Sequence, residues 1–235
     1  MFFNKKKKDN PELSKIIVGE DSIKHTDGYN RLRDNILYMN ADNTNKVIQT
    51  ESAVKGEGKT TITCNLAVSL GLTDKKVVVV DLDFYHPRAH RLFEVEKETG
   101  IAEYILGNAK LEDIIKKTSR QNVDIITRGT EVQNSSLVFV SEKFKNMICE
   151  LREMYDYVLL DCAPVLQTSD YIHISRVSDG VIFMVEHAST TKAQVKEAID
   201  ELRKNGANIL GCVFSKYDKK KDRGYSGNQS YYGAY

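Results

Sequence analysis

The sequence predicts an α/β fold: a single doubly wound, mostly parallel sheet with helices on both faces, followed by a disordered, tyrosine-rich C-terminal tail. Three observations carry that prediction. Six short runs rich in Val, Ile and Leu lack polar alternation, as strands buried on both faces of a parallel sheet do. Stretches of helical period separate them, which gives each crossover its helix. From Tyr217 onward little besides tyrosine is left to bury, and such a segment cannot offset its ordering entropy.

In chain order, residues 1–25 show no clear period and are expected to wrap as an arm. Thr26 to Asn40 reads as a helix, with Tyr29, Leu32, Arg33, Ile36 and Leu37 on one stripe and Thr26 or Asp27 as cap. Strands are expected at 46–50, 76–81, 123–127, 157–161, 180–186 and 208–214. A helix over Thr61 to Leu72 follows the first strand. Ser141 to Tyr155 is a second clear helix, aligning Phe144, Met147, Ile148, Leu151 and Tyr155, and Thr191 to Lys204 is a third, stopped by Gly206. No repeat or linker divides the chain, so the expected organisation is an arm (1–25), one domain (26–216) and a tail (217–235).

Composition narrows the partners. The 34 Lys and Arg nearly cancel 33 Asp and Glu, so no global field points to nucleic acid. Cys64, Cys149, Cys162 and Cys212 lie in apolar stretches without metal-ligand spacing and read as core residues of a reduced, cytoplasmic protein. No apolar run approaches the ~18 residues of a membrane span, and Phe2-Phe3 before Lys5 to Lys8 lacks the apolar core of a signal peptide. Lys5 to Lys8, and Lys216, Lys219 to Lys221 and Arg223, are either solvated or drawn to an anionic membrane surface, at roughly 1 kcal/mol per basic residue close to the lipid.

The chemistry sits where the first strand meets its helix. Ala53-Val54-Lys55-Gly56-Glu57-Gly58-Lys59-Thr60-Thr61 is a glycine-bearing loop ending in Gly-Lys-Thr. Glycines let backbone N–H groups turn inward around a β-phosphate, Lys59 reaches the β and γ oxygens, and the Thr60 hydroxyl binds Mg²⁺. The helix N-terminus adds its partial positive charge. Lys55, Gly56, Glu57, Gly58, Lys59, Thr60 and Thr61 are therefore the candidate nucleotide-binding residues. A second strand ends in Asp81-Leu82-Asp83, whose spacing puts both carboxylates on one side, and a third ends in Asp161 with Pro164 three residues on. Phosphoryl transfer needs a metal, a lysine clamp and a group for the nucleophile's proton. Thr60, Asp83 and Asp161 are candidates for the metal, Lys59 for the clamp, and Asp81 or Asp83 for the base. Ser215 or Lys216 is the candidate contact for the base of the nucleotide. In the tail, Tyr217, Tyr225, Tyr231, Tyr232 and Tyr235 are five of the chain's twelve tyrosines, placed where no core needs them. Their hydroxyls read as phosphorylation targets; the structural alternative is a sticky tail docked on a partner.

These residues carry a resemblance. Gly56-Glu57-Gly58-Lys59-Thr60-Thr61 followed by Asn65-Leu66-Ala67 resembles the deviant P-loop ATPases. Three boxes (Ala53 to Thr61, Val78 to Asp83, Val158 to Pro164) with a tail of tyrosines from Tyr225 to Tyr235 resemble the bacterial tyrosine kinases of capsule and exopolysaccharide synthesis, the BY-kinases of the CpsD/CapB type. The resemblance implies ATP with Mg²⁺ as donor and phosphorylation of Tyr225, Tyr231, Tyr232 and Tyr235 in trans. It also implies a membrane-anchored activator of the polysaccharide co-polymerase type, ring-like self-association, protein tyrosine substrates, and recruitment to the inner face of the cell membrane. Departures are Lys55 for the family's proline, Val54 where partition ATPases carry a signature lysine, and Tyr85 for an arginine. Asp27, Asn30 and Arg33 stand where the family's subunit-contact helix has Glu-x-x-Arg-x-x-Arg, and the loop Gly129 to Ser141 keeps only Asn134 and Leu137 of the family's look. The alternatives are a partition-type ATPase switch and an ATP-binding scaffold with weak turnover.

Overall fold

The computed structural model describes residues 23–40, 42, 44–187 and 189–216. The tail expected over 217–235, with its tyrosines, and residues 1–22 of the expected arm lie outside the described residues. Among those described, nine helices and seven strands alternate: α1 (Ile23–Met39), β1 (Val47–Ser52), α2 (Lys59–Gly71), β2 (Val77–Asp81), α3 (Ala89–Leu92), α4 (Ile101–Leu106), α5 (Leu111–Ile114), β3 (Ile115–Lys117), β4 (Val123–Ile126), α6 (Ser135–Val140), α7 (Glu142–Met154), β5 (Tyr157–Asp161), α8 (Tyr171–Ile174), β6 (Gly180–Glu186), α9 (Lys192–Lys204) and β7 (Ile209–Ser215). None of these helices is long and apolar enough to cross a membrane.

One sheet runs in the order β3-β4-β2-β5-β1-β6-β7. All pairings are parallel except β3 with β4, so the mostly parallel, doubly wound prediction holds. The antiparallel β3 was not expected; Ile115 and Lys116 are only half-buried and Lys117 is exposed, and so short a run shows no period. In the central strands alternate residues feed two cores. Ile48, Val77, Val79 and Leu159 face α1, α2 and α3, while Val78, Val80, Val158 and Leu160 face α4 to α7. Each fully buried Val or Leu contributes roughly 1.5–3 kcal/mol. A further cluster seats Ala198 and Leu202 of α9 on Val181 and Phe183 of β6.

Helix ends follow their capping residues. Ser141 Oγ accepts the Phe144 N–H at 3.1 Å at the start of α7, and Thr191 with Gln194 forms a capping box at the start of α9. α1 departs from expectation: it begins three residues ahead of the predicted cap, and Asp27 pairs instead with Arg31 at 2.9 Å. The expected stripe holds, with Ile36 buried and Tyr29, Leu32 and Leu37 packed on the α2 core. Arg33 is tied down within the subunit, donating to Asn30 Oδ1 at 3.2 Å and to Ser69 Oγ of α2 at 3.4 Å.

Two expectations of burial fail. β7 is an edge strand, half-exposed along much of its length, with Phe214 64% exposed, because it has only one neighbour. Cys212 on that edge and Cys149 on the outer face of α7 are exposed, leaving only Cys64 and Cys162 as core cysteines. Apolar neighbours in sequence did not reveal which face each cysteine takes.

A half-buried ion pair closes the end of the sheet away from the loop Ala53 to Thr61. Asp179 accepts both Arg152 guanidinium nitrogens at 2.9 and 2.8 Å, and the backbone N–H groups of Lys46 and Val47 at 2.8 Å each. It therefore ties α7 and β6 to the first residue of β1. Replacing Asp179 with Ala leaves those donors unmatched and is expected to cost about 2–3 kcal/mol. Urea denaturation at neutral pH checks this.

Candidate active site

The loop between β1 and α2 is shaped by two glycines. Gly56 and Gly58 both adopt left-handed backbone, φ 90° and 91°, which other residues reach only with strain. Gly58 is also the N-cap of α2 and supplies no side-chain acceptor. The first N–H groups of a 13-residue helix are thus left facing the cleft, as an anion site requires.

A cleft of about 1010 Å³ opens above this loop. Lys55, Gly56, Gly58, Lys59, Thr60 and Thr61 form its floor, Asp83, His86, Arg88 and Pro164 one wall, and Val213 to Lys216 another. The sequence-predicted residues of the described chain therefore converge, apart from three whose side chains do not line it: Asp161, fully buried beneath the floor, and Glu57 and Asp81. Glu57 is 1% exposed and turned beneath the loop, where its carboxylate accepts the Val54 and Glu186 N–H groups at 2.8 and 3.1 Å and the Thr190 hydroxyl. Its side chain cannot be a nucleotide contact; only its backbone N–H remains for that. Asp81, at the last position of β2, is fully buried behind the cleft wall, with the Ala89 N–H on Oδ2 at 3.1 Å. The Asp-x-Asp spacing sets the side of the chain but not the depth: Asp83, two residues beyond, reaches the cleft.

The polar floor is a product of register. β2 and β5 align Asp81 with Asp161, and β1 and β5 align Thr50 with Asp161. All three face α2, whose Thr63 hydroxyl meets that of Thr50 at 2.8 Å. Lys59 is buried and donates to Ser52 Oγ at 2.9 Å. Ser52 was not foreseen as its partner, although strand alternation from Thr50 places it on the same side. Asp83 Oδ1 accepts the His86 N–H at 2.9 Å and the Tyr85 N–H at 3.2 Å, which fixes the carboxylate at the rim. Ser215 ends β7 instead of following it, and its hydroxyl is buried.

Four buried side-chain oxygens here have no hydrogen-bond partner among the described residues: Asp81 Oδ1, both oxygens of Asp161, and Ser215 Oγ. Burial raises the Asp161 pKa to about 7, while the Thr60 hydroxyl and the Lys59 ammonium pull it down and Asp83 pushes it up. Burial, with Asp161 and then Asp83 beside it, holds Asp81 well above the carboxylate range. Unpartnered carboxylate oxygens beside a threonine hydroxyl and a lysine fit a divalent cation. Among the described residues no cluster of three or more His, Cys, Asp or Glu could itself hold a metal.

Fold and site together define a P-loop nucleotide-binding domain. Residues 45–210 match the AAA domain family. The chain is 32% identical to the tyrosine-protein kinase CpsD of Streptococcus pneumoniae over 208 residues, 88% of this chain and 90% of that one. It is 28% identical to the tyrosine-protein kinase YwqD of Bacillus subtilis (strain 168) over 216 residues, 91% of each. The crystal structure of the chimerical protein CapA2B2 superposes with a TM-score of 0.81 at 28% identity, over 86% of this chain and 89% of that one. The chain belongs to the bacterial tyrosine-kinase family of the CpsD/CapB/YwqD type.

One buried carboxyl is outside this chemistry. Glu51 in β1 faces away from α2, bonded to the Gln49 amide at 2.6 Å, and burial raises its pKa to about 8. The folded protein keeps that proton while the unfolded chain loses it near pH 4.5, so Glu51 makes stability fall as pH rises between about 4.5 and 8. Glu51→Gln should remove that contribution, worth up to ~1.4 kcal/mol per pH unit. Urea melts at pH 5 and pH 8 should show the variant's relative stability increasing toward pH 8.

Proposed function

We propose that the chain is an ATP-dependent protein-tyrosine kinase that phosphorylates its own tail at Tyr225, Tyr231, Tyr232 and Tyr235 and regulates capsular or exopolysaccharide synthesis and export. The domain is assigned to 26–216 and the substrate tail to 217–235. The observation that carries the reading is the unpartnered Asp161 carboxylate beneath Lys59 and Thr60, with Asp83 at the rim of the same cleft.

In this reading the open N–H groups of α2 and the loop's backbone cradle the phosphates. Lys59 exchanges its bond to Ser52 for the β and γ oxygens. Thr60 and Asp161, with Asp83, would hold Mg²⁺, which would neutralise charge on the triphosphate. Asp83 is the carboxylate placed to accept the proton of an incoming tyrosine hydroxyl. Asp81 stays behind the wall, its own proton affinity raised by burial and by Asp161 and Asp83 beside it. Val213 to Lys216 flank the far side of the cleft, where Ser215 Oγ is available to the base.

A membrane-anchored activator of the polysaccharide co-polymerase type is the proposed partner, bringing the protein to the inner face of the cell membrane. The family's kinship, including the chimerical protein CapA2B2, supports it. Self-association, a ring in the family, would need contacts other than Arg33, which is engaged with Ser69. The tail separates this reading from a partition-type ATPase, which has no use for five tyrosines in a basic segment.

The test is incubation with ATP, Mg²⁺ and an activator fragment, with phosphotyrosine mapped by mass spectrometry. Label is expected on Tyr225 to Tyr235 and at least 100-fold less in Lys59→Met, about 3 kcal/mol of lost transition-state stabilisation. Hydrolysis with no tail modification would sink the kinase reading.

A further inference from the structure

Glu57 is a charged side chain sealed under the phosphate loop, yet it touches no part of the cleft. It stands between Gly56 and Gly58, the two left-handed residues that give the loop its shape. Glycines permit that shape but also permit many others, so a loop built on them has a large entropy to lose when it closes round an anion. Glu57 removes that freedom. Oε2 holds the Val54 N–H at the start of the loop, and Oε1 holds the Glu186 N–H at the end of β6 and the Thr190 hydroxyl beyond it. Three donors on one buried carboxylate make this a strong set of charge-assisted bonds.

The strand that Glu57 grips is held from above as well. Glu186 Oε1 accepts from Lys216 Nζ at 2.7 Å, and the same ammonium donates to the Gly56 carbonyl at 3.3 Å. Lys216 is largely exposed, so its ion pair adds little stability. Its effect is geometric: loop residue 56 and strand residue 186 are pinned to each other on the outer side.

We propose that Glu57 is a positioning residue, which hangs the phosphate loop from the end of β6 through Glu186 and Thr190 and so holds the loop ready for the nucleotide before it arrives. The proposal rests on the nucleotide-binding reading above, and assigns Glu57 an indirect role through the loop backbone. Thr190, on a different loop and outside the cleft, becomes part of the same device.

The test measures the affinity of the full chain for the fluorescent nucleotide mant-ADP with excess Mg²⁺, alongside thermal melts without nucleotide. Wild type that fails to bind mant-ADP would overturn the nucleotide-binding reading itself. Given binding, Glu57→Gln, whose amide presents a donor to one of the N–H groups, is expected to weaken it about tenfold. Thr190→Val is expected to weaken it about threefold, and Thr190→Ser to restore it to within experimental error. If Glu57→Gln and Thr190→Val are folded and bind mant-ADP as wild type does, the proposal is wrong. It is equally wrong if Thr190→Ser is as weak as Thr190→Val, since the hydroxyl would then not be what matters. A Glu57→Gln chain that does not fold leaves the Thr190 pair to decide.

Discussion

Everything at the active cleft depends on keeping two carboxylates, Asp81 and Asp161, side by side in the interior at the carboxyl ends of β2 and β5. Two buried anions in register would lose hydration and repel each other; burial raises the proton affinity of both, and Asp161 adds to the rise at Asp81. What makes the arrangement tenable is the start of α2, with its open N–H groups, the Lys59 ammonium and the Thr60 hydroxyl directed to the same place. Opposed charges set at the junction of strand and helix leave a deficit that a metal–nucleotide complex can fill. Stability and ligand binding are therefore in tension at this one point.

The rest of the molecule serves to hold that junction still. α1 and α2 bury the apolar stripes of the nucleotide-side face, while α7 and α9 close the other. Asp179 fastens the opposite end of β1, so the strand that launches the loop is secured at both ends. At the loop itself, Glu57 and Lys216 join the two sides of the cleft to Glu186, and Lys216 is also the residue from which the tyrosine-bearing segment departs. The tail's root and the phosphate loop thus share a strand end.

Much of this was legible in the residues. Apolar runs without alternation marked the central strands because those strands are covered on both faces, and the same rule failed at β7 because an edge has one neighbour. That Lys59, Thr60 and Asp83 share one cleft was legible because the loop and the strand-end acids follow particular strands. That the Glu57 side chain turns beneath the loop was not legible, because spacing within a loop does not say which way a side chain turns. Asp81 was ranked with Asp83 because alternation reports side and not depth. Cys149 and Cys212 were placed in the core because neighbours in sequence are not neighbours across a sheet.

The sequence by itself determined the fold class, the strand that precedes the loop, the lysine and threonine that follow it, and the strand-end acids. These depend on local period and on chemistry carried by consecutive residues, and both can be read along one dimension. Tertiary structure alone decided that Asp81 and Asp161 are registered neighbours, that Ser52 receives Lys59, that Thr190 meets Glu57, and that Arg33 is engaged within its own subunit. Those pairings join residues brought together by parallel crossovers, loop packing and helix docking. Which partner each polar group finds is settled only when the interior closes and excludes water as an alternative.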